Sequence, residues 1–125
     1  MLQVYGIKNC NTVKKSLDWL SDHNCEYEFF DVKKCTLNKN LISDWIGSMK
    51  NNYTWENLVN KSGTTWKQLN DEIKNAVVTP DDAISIILSK PTIMKRPVIT
   101  KKGKLIAIGF DVNLYEEKIK WVKLL

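Results

Sequence analysis

The segment LQVYGIKNCNTVKKSLDWL, residues 2–20, changes from one hydrophobic pattern to another across a short polar loop. Residues 2–5 form an apolar run closed by Gly6, which predicts a short buried strand. From Asn11 onward, apolar side chains recur at helical spacing, and charged residues occupy the opposite face. The segment therefore predicts a strand, a loop that carries Cys10, and an amphipathic helix.

A second strand is predicted directly after this helix. Tyr27 and Phe29 alternate with Glu26 and Glu28, and the apolar character continues into Phe30. Alternation of this kind is the two-residue period of a strand. A strand, a helix and a strand in this order form a right-handed crossover with parallel strands.

The middle of the chain, about residues 36–90, has helical periodicity. The pattern predicts a helix over residues 41–49, a short helix near 55–59 and, after a break at Gly63, renewed helical spacing over 66–73. A further helix is predicted to run to about residue 88, because its start combines a capping residue, a first-turn proline and an acidic third position: Thr79, Pro80 and Asp82.

Two short apolar runs near the C-terminus, residues 98–100 and 105–108, are joined by the polar turn KKGK. They predict a β-hairpin, after which Asp111 caps a last amphipathic helix. The order βαβ, helices, ββα is the thioredoxin-like arrangement. We therefore predict an α/β fold in a single domain over residues 1–125. It would hold a mixed four-stranded sheet, with a helical insertion at about 36–90 between the βαβ and ββα halves.

Composition and charge limit the possible classes of protein. The chain of 125 residues is 43% hydrophobic and 26% charged, which is typical of one globular domain. No apolar stretch is long enough to cross a bilayer and no secretory signal is recognisable, so we expect a cytoplasmic protein that does not enter the membrane. Basic residues are spread along the chain, so direct nucleic-acid binding is not expected despite a net charge of +5. Arg96 is the single arginine, which suggests a position that needs a planar guanidinium.

The cysteines fit neither a disulfide framework nor a zinc site, and we expect free thiols and no bound metal. Cys10 lies where a helix begins, and unpaired backbone N–H groups and the helix dipole favour the thiolate there. Positive charge near the sulfur adds to this effect, from Lys8, Lys14 and Lys15. Cys10 is thus predicted to be a nucleophile. The alternative is a small hydrophobic residue in a loop.

The other two cysteines have simpler interpretations. Cys25 begins the second predicted strand in an apolar setting and is expected to lie in the core, whereas Cys35 is either an exposed thiol or a distant resolving cysteine. Redox loops of this kind often carry a second cysteine three residues after the first, and here that position is Val13. His23, at the end of the first helix, is expected to be a surface or capping residue.

Four segments carry a resemblance to a known family: YGIKNCNTVKK at residues 5–15, GTTWKQL at 63–69, KPTIMKRPVI at 90–99 and GKLIAIGF at 103–110. The chain resembles the arsenate reductase (ArsC)/Spx family, and within it the YffB-like branch. The resemblance implies that Cys10 is the attacking thiol. It also implies that Pro97 is a cis proline opposite this thiol, so that Arg96 and Pro97 line the cleft.

The resemblance also shows where the chain departs from arsenate reductases. Those enzymes hold the oxyanion with three arginines, of which only Arg96 is present here. The other two positions fall at Asn60, beside Lys61, and near Ile108. The serine that they place three residues after the cysteine is Val13 in this chain. The residues expected to bind a substrate or anion are Lys8, Asn11, Thr12, Lys61, Arg96 and Pro97. For the GTTW segment, a turn, a helix cap and a core tryptophan are a sufficient explanation.

Three functions follow from these expectations. The first is a glutathione-dependent thiol reductase, in which Cys10 forms a mixed disulfide that an external thiol resolves, with Lys8, Lys61 and Arg96 holding the glutathione carboxylates. Glutathione would be a co-substrate, and its alternative partner would be a protein thiol or disulfide. The second is a Spx-like transcriptional regulator that binds RNA polymerase. The third, true arsenate reduction, is disfavoured by the missing arginines.

Overall fold

The computed structural model describes residues 1–34, 37–50 and 53–123, with side chains up to residue 119. Four strands form one sheet in the order β2-β1-β3-β4. Strands β1 and β2 are parallel, whereas the β1–β3 and β3–β4 pairs are antiparallel. The thioredoxin-like mixed sheet predicted from the sequence is therefore confirmed, with these strands: β1 Leu2–Gly6, β2 Tyr27–Asp31, β3 Val98–Lys101 and β4 Lys104–Ile108.

Six α-helices and two short 3-10 turns connect these strands in the described part of the chain. The first helix lies between β1 and β2, four helices lie between β2 and β3, and the last follows β4. The 3-10 turns are Trp55–Leu58 and Pro91–Ile93. The helices are α1 Asn11–Asp22, α2 Lys39–Ser48, α3 Thr64–Lys67, α4 Asp71–Ala76, α5 Pro80–Ser89 and α6 Val112–Lys123.

Capping side chains explain where the structure follows the sequence pattern and where it departs from it. Thr79 accepts the N–H of Asp82 at 3.2 Å and starts α5 as predicted. The helical spacing over residues 66–73 is interrupted, because Asn70 accepts the N–H of Ile73 at 2.9 Å and begins a new helix. An asparagine that caps in this way offers the backbone a competing hydrogen bond.

Alternate side chains of the central strands enter two separate cores, one on each face of the sheet. Tyr5 and Val98 pack with α2 and α5 on one face, around the fully buried Trp45. Val4 and Ile99 pack on the other face with α1 and α6. This alternation is the two-residue period of β-structure, and it leaves the sheet covered by helices on both sides.

Gly6 allows α1 to approach the end of β1. A Cβ atom at this position would lie 2.9 Å from Cγ2 of Val13, which is fully buried. No side chain larger than hydrogen fits without displacing the first turn of α1. Gly6 therefore sets the position of the turn that carries Cys10.

Strand β4 forms one edge of the sheet, and side chains cover two of its backbone donors. Ser48 Oγ accepts the N–H of Leu105 at 2.8 Å, and the Tyr53 hydroxyl accepts the N–H of Ile108 at 3.1 Å. An edge blocked in this way is a poor template for pairing with another strand. Among the described residues, no helix is long and apolar enough to cross a bilayer.

Candidate thiol site

Cys10 caps the N-terminus of α1, after the loop that follows β1. Its backbone is extended, with φ −101° and ψ 123°, and its carbonyl accepts the N–H of Lys14 at 3.0 Å. A residue in this position faces the unpaired N–H groups of the first helical turn. The side chain is partly buried, so a reactant can still reach the sulfur.

The pKa of the Cys10 thiol lies below its ordinary value. Partial burial is the largest single influence, and it raises the pKa because it disfavours the charged thiolate. The N–H of Val13, the side chain of Arg96 and the N–H of Thr12 lower the pKa as hydrogen-bond donors toward the sulfur, and the Arg96 charge adds to them. Together these groups outweigh the burial. Because the Cys10 side chain makes no capping hydrogen bond of ordinary geometry in the structure, we infer that these donors act chiefly on the thiolate.

Arg96 is held in place by its own loop. Its Nη1 donates to the carbonyl of Thr92 at 2.6 Å and to the carbonyl of Met94 at 3.2 Å. Its Nε–H is buried and has no hydrogen-bond partner within the described ranges. Two backbone carbonyls thus orient the guanidinium, and a lysine could not reproduce this planar arrangement.

A second segment supports the Arg96 loop. Residues 58–60 pair with residues 93–95 through a Val59–Met94 bridge, and the N–H of Asn60 donates to the carbonyl of Ile93 at 2.9 Å. A side-chain contact reinforces this pairing, because the hydroxyls of Thr65 and Thr92 lie 2.8 Å apart. The GTTW segment therefore contacts the residue whose carbonyl holds Arg96.

Pro97 follows Arg96 through a cis peptide bond, as the family resemblance implied. Pro97 is buried, and its carbonyl accepts the N–H of Gly109 at 2.8 Å. The next residue, Val98, opens β3, which pairs directly with β1. The cis bond therefore immediately precedes β3 in the chain.

The other predicted site residues are less closely connected to the sulfur. Asn11 and Thr12 are exposed in the first turn of α1, and only the backbone N–H of Thr12 acts on Cys10. Lys8 is exposed in the preceding loop, and the Lys61 ammonium lies 5.3 Å from the ring centroid of Trp66. The lysines expected to lower the thiol pKa, namely Lys8, Lys14 and Lys15, are not among the groups that lower it in the described residues.

The positions of the two missing arginines do not supply a replacement cation. Asn60 is partly buried, and its side-chain oxygen accepts the N–H of Ser62 at 3.2 Å. Ile108 is 6% exposed and lies in β4. Arg96 is therefore the only one of the three arginine positions that carries a positive charge.

Cys25 and His23 lie away from Cys10. Cys25 is buried as predicted, but strand β2 begins two residues later, at Tyr27, rather than at Cys25 itself. It lies beside the N-terminal ends of the parallel strands, whereas Cys10 follows the C-terminal end of β1. The length of a five-residue strand, about 13 Å, separates these two ends. His23 caps the C-terminus of α1 and stacks on Trp19 with ring centroids 3.9 Å apart. The prediction for Cys35 lies outside the described residues.

The described residues contain no group of histidine, cysteine and acidic side chains that could hold a metal ion. The site thus consists of one thiol, two helix amides and one oriented guanidinium. A sequence model of the ArsC family matches residues 5–118. This chain belongs to the ArsC family.

Individual proteins are similar to this chain over most of its length. A protein of Haemophilus influenzae is 40% identical over 116 residues, which cover 93% of this chain and 96% of that protein. The solved structure of a YffB protein is 30% identical with a TM-score of 0.82, and it covers 94% of this chain and 98% of that one. The global transcriptional regulator Spx 2 of Lactococcus lactis is 26% identical over 120 residues, covering 96% of this chain and 84% of the regulator.

Proposed function

We propose that this ArsC-family protein is a thiol reductase in which Cys10 is the nucleophile and glutathione is the resolving thiol. The proposal is based on the lowered pKa of Cys10, which is caused by two helix amides and Arg96. A thiolate is the form of cysteine that attacks a disulfide.

The reaction has two exchange steps. The Cys10 thiolate attacks the glutathione sulfur of a glutathionylated protein, forms a mixed disulfide with it and releases the protein thiolate. A second glutathione thiolate then attacks this mixed disulfide, regenerates the Cys10 thiolate and leaves as oxidised glutathione. An external thiol is proposed because the described residues offer no second thiol to resolve the adduct: the position three residues after Cys10 is the fully buried Val13, and Cys25 lies beyond disulfide range.

Exposed lysines support a role for glutathione, which carries two carboxylates. Lys8 and Lys61 are both exposed and accessible to carboxylates of a ligand. Arg96 already donates through Nη1 to two carbonyls, so we assign it chiefly to the thiolate and to the reacting sulfur. Arsenate is a poorer candidate substrate, because a doubly charged oxyanion would lose two bidentate arginine contacts at Asn60 and Ile108.

Turnover of a glutathionylated peptide tests this proposal. Formation of oxidised glutathione is followed with glutathione reductase and NADPH. Cys10→Ser should abolish the turnover, because a hydroxyl does not form a mixed disulfide, whereas Cys25→Ala should retain most of it. Undiminished turnover in Cys10→Ser would rule out the mechanism.

The similarity to Spx 2 favours a second candidate, a regulator that binds RNA polymerase. This role would not need turnover at Cys10. Immobilised protein would then retain purified RNA polymerase at micromolar concentration, and Cys10→Ser would retain it equally. A failure of both proteins to retain the polymerase would exclude this candidate.

A further inference from the structure

A cleft of about 550 Å³ lies between the β3–β4 hairpin, the segment after α2, and α6. Five lysines line it, and the only carboxylate among its described lining residues is Glu117. These lysines come from three separate segments of the chain: Lys50, Lys101, Lys102, Lys104 and Lys118. Folding therefore concentrates at one place a positive charge that is dispersed in the sequence.

The cleft is at the opposite end of the sheet from the thiol. The hairpin turn at Lys102 follows Thr100, which pairs with Gln3 near the start of β1. Cys10 follows the other end of the same strand. The cleft is therefore not an extension of the site around Cys10, and binding in it is independent of the proposed reductase activity.

The cleft has an apolar floor, and two polar side chains of its lining are already hydrogen-bonded to β4. Leu105 and Ile106 of β4 and the ring of Tyr53 line it. The Tyr53 hydroxyl accepts the N–H of Ile108 at 3.1 Å, and Ser48 accepts the N–H of Leu105 at 2.8 Å. These two edge N–H groups are already used, so a partner cannot extend the sheet through them. A partner would be recognised by its side chains.

The Tyr53 ring is also engaged, because the Lys118 ammonium lies 5.6 Å from its centroid. Nucleic-acid sites of this size commonly present aromatic faces to the bases and arginine forks to the phosphates. The described lining of this cleft contains no arginine, and its one aromatic ring already carries a lysine. An apolar floor ringed by lysines instead matches apolar side chains flanked by carboxylates.

We infer that this lysine cleft binds an acidic segment of a partner protein. One or two apolar side chains of the segment would lie on Leu105, Ile106 and the Tyr53 ring, and its carboxylates would face Lys102, Lys104 and Lys118. The volume of about 550 Å³ is within the usual range for binding pockets and has room for a few side chains.

Fluorescence anisotropy of the full chain with a labelled peptide tests the inference. The probe is a short peptide of glutamates with two leucines, at low salt. Lys102→Glu/Lys104→Glu should weaken binding about tenfold or more, because like charges then face the glutamates. Lys102→Arg/Lys104→Arg should retain binding. A peptide whose leucines are replaced by serines should bind about tenfold more weakly than the original.

The matched control is Lys33→Glu/Lys34→Glu, which makes the same change in net charge at exposed lysines next to β2, at the other end of the sheet. This control should bind the peptide within about twofold of the wild type. Equal weakening by both double variants would overturn the inference, because only net charge would matter. Tighter binding of a single-stranded oligodeoxynucleotide than of the peptide, lost only in the cleft variant, would assign the cleft to nucleic acid and would also overturn it.

Discussion

Replacement of Arg96 by glutamine shows how much of the lowered Cys10 pKa is due to the guanidinium and how much is due to the helix amides. In the native protein, Arg96 contributes both a hydrogen bond and a positive charge at Cys10, while the amides of Val13 and Thr12 contribute the rest. A hydrogen bond to a charged group contributes roughly 1.5 to 3 kcal/mol. Because the sulfur is only partly buried, we take the lower end of this range, and 1.4 kcal/mol corresponds to about a tenfold change in population. Arg96→Gln should therefore raise the pKa of Cys10 and, at pH values below the pKa of both proteins, hold about tenfold less thiolate.

The assay is the rate of iodoacetamide alkylation at Cys10 as a function of pH, in a background with Cys25 and Cys35 replaced by alanine. The thiolate is the reacting form, so a lowered pKa places the wild-type plateau at a lower pH than that of a free thiol. The variant should react about tenfold more slowly at pH values below both pKa values and reach the wild-type rate at high pH, where both proteins are ionised. Identical rate profiles over the whole pH range would refute the assignment of Arg96 to the thiolate. A rate difference that persists at high pH would show that the substitution blocks access instead.

Three further substitutions test the supports of the site. Thr65→Val removes the 2.8 Å hydroxyl contact that braces the Arg96 loop, so alkylation at neutral pH should slow about threefold, while Thr65→Ser should not slow it. Gly6→Ala places a Cβ 2.9 Å from Val13 and should lower the free energy of unfolding, measured in urea, by about 1 to 3 kcal/mol. The control Gly47→Ala, at an exposed position of α2 with free space around it, should not lower this free energy. Tyr115→Phe removes a buried hydroxyl that joins α1 to the β4–α6 loop, and should cost about 1 to 3 kcal/mol in the same measurement. An unchanged unfolding midpoint in either destabilising variant would contradict the packing described here.

Local signals in the sequence were sufficient for most of the fold. The alternation around Tyr27, the cap at Thr79 and the KKGK turn each depend on neighbouring residues, and each appears in the structure. Cys10 at the start of α1 was predictable for the same reason, because a polar loop precedes the helical pattern. The sequence pattern does not indicate the interruption at Asn70, because apolar residues on both sides keep helical spacing across it.

Contacts between distant segments could not be predicted from local patterns. The hydrogen bond between Thr65 and Thr92 joins residues 27 positions apart. The sequence around each threonine does not distinguish it from an ordinary helix-capping threonine. The lysine cleft is a similar case, because its lysines lie in three segments that only the fold brings together. Lys8, by contrast, is near Cys10 in the sequence, which predicts an effect on the thiol, but the groups that lower the pKa are the helix amides and Arg96.

Mass spectrometry of the native chain after brief exposure to oxidised glutathione tests most directly whether Cys10 is the reactive thiol. The Cys10 thiolate should attack oxidised glutathione, forming a Cys10–glutathione disulfide and releasing one glutathione thiolate. Cys10 should be modified before Cys25 and Cys35, and added glutathione should reverse the modification. Modification of Cys35 first, or no modification at Cys10 near neutral pH, would contradict the claim that helix amides and Arg96 make Cys10 the reactive thiol.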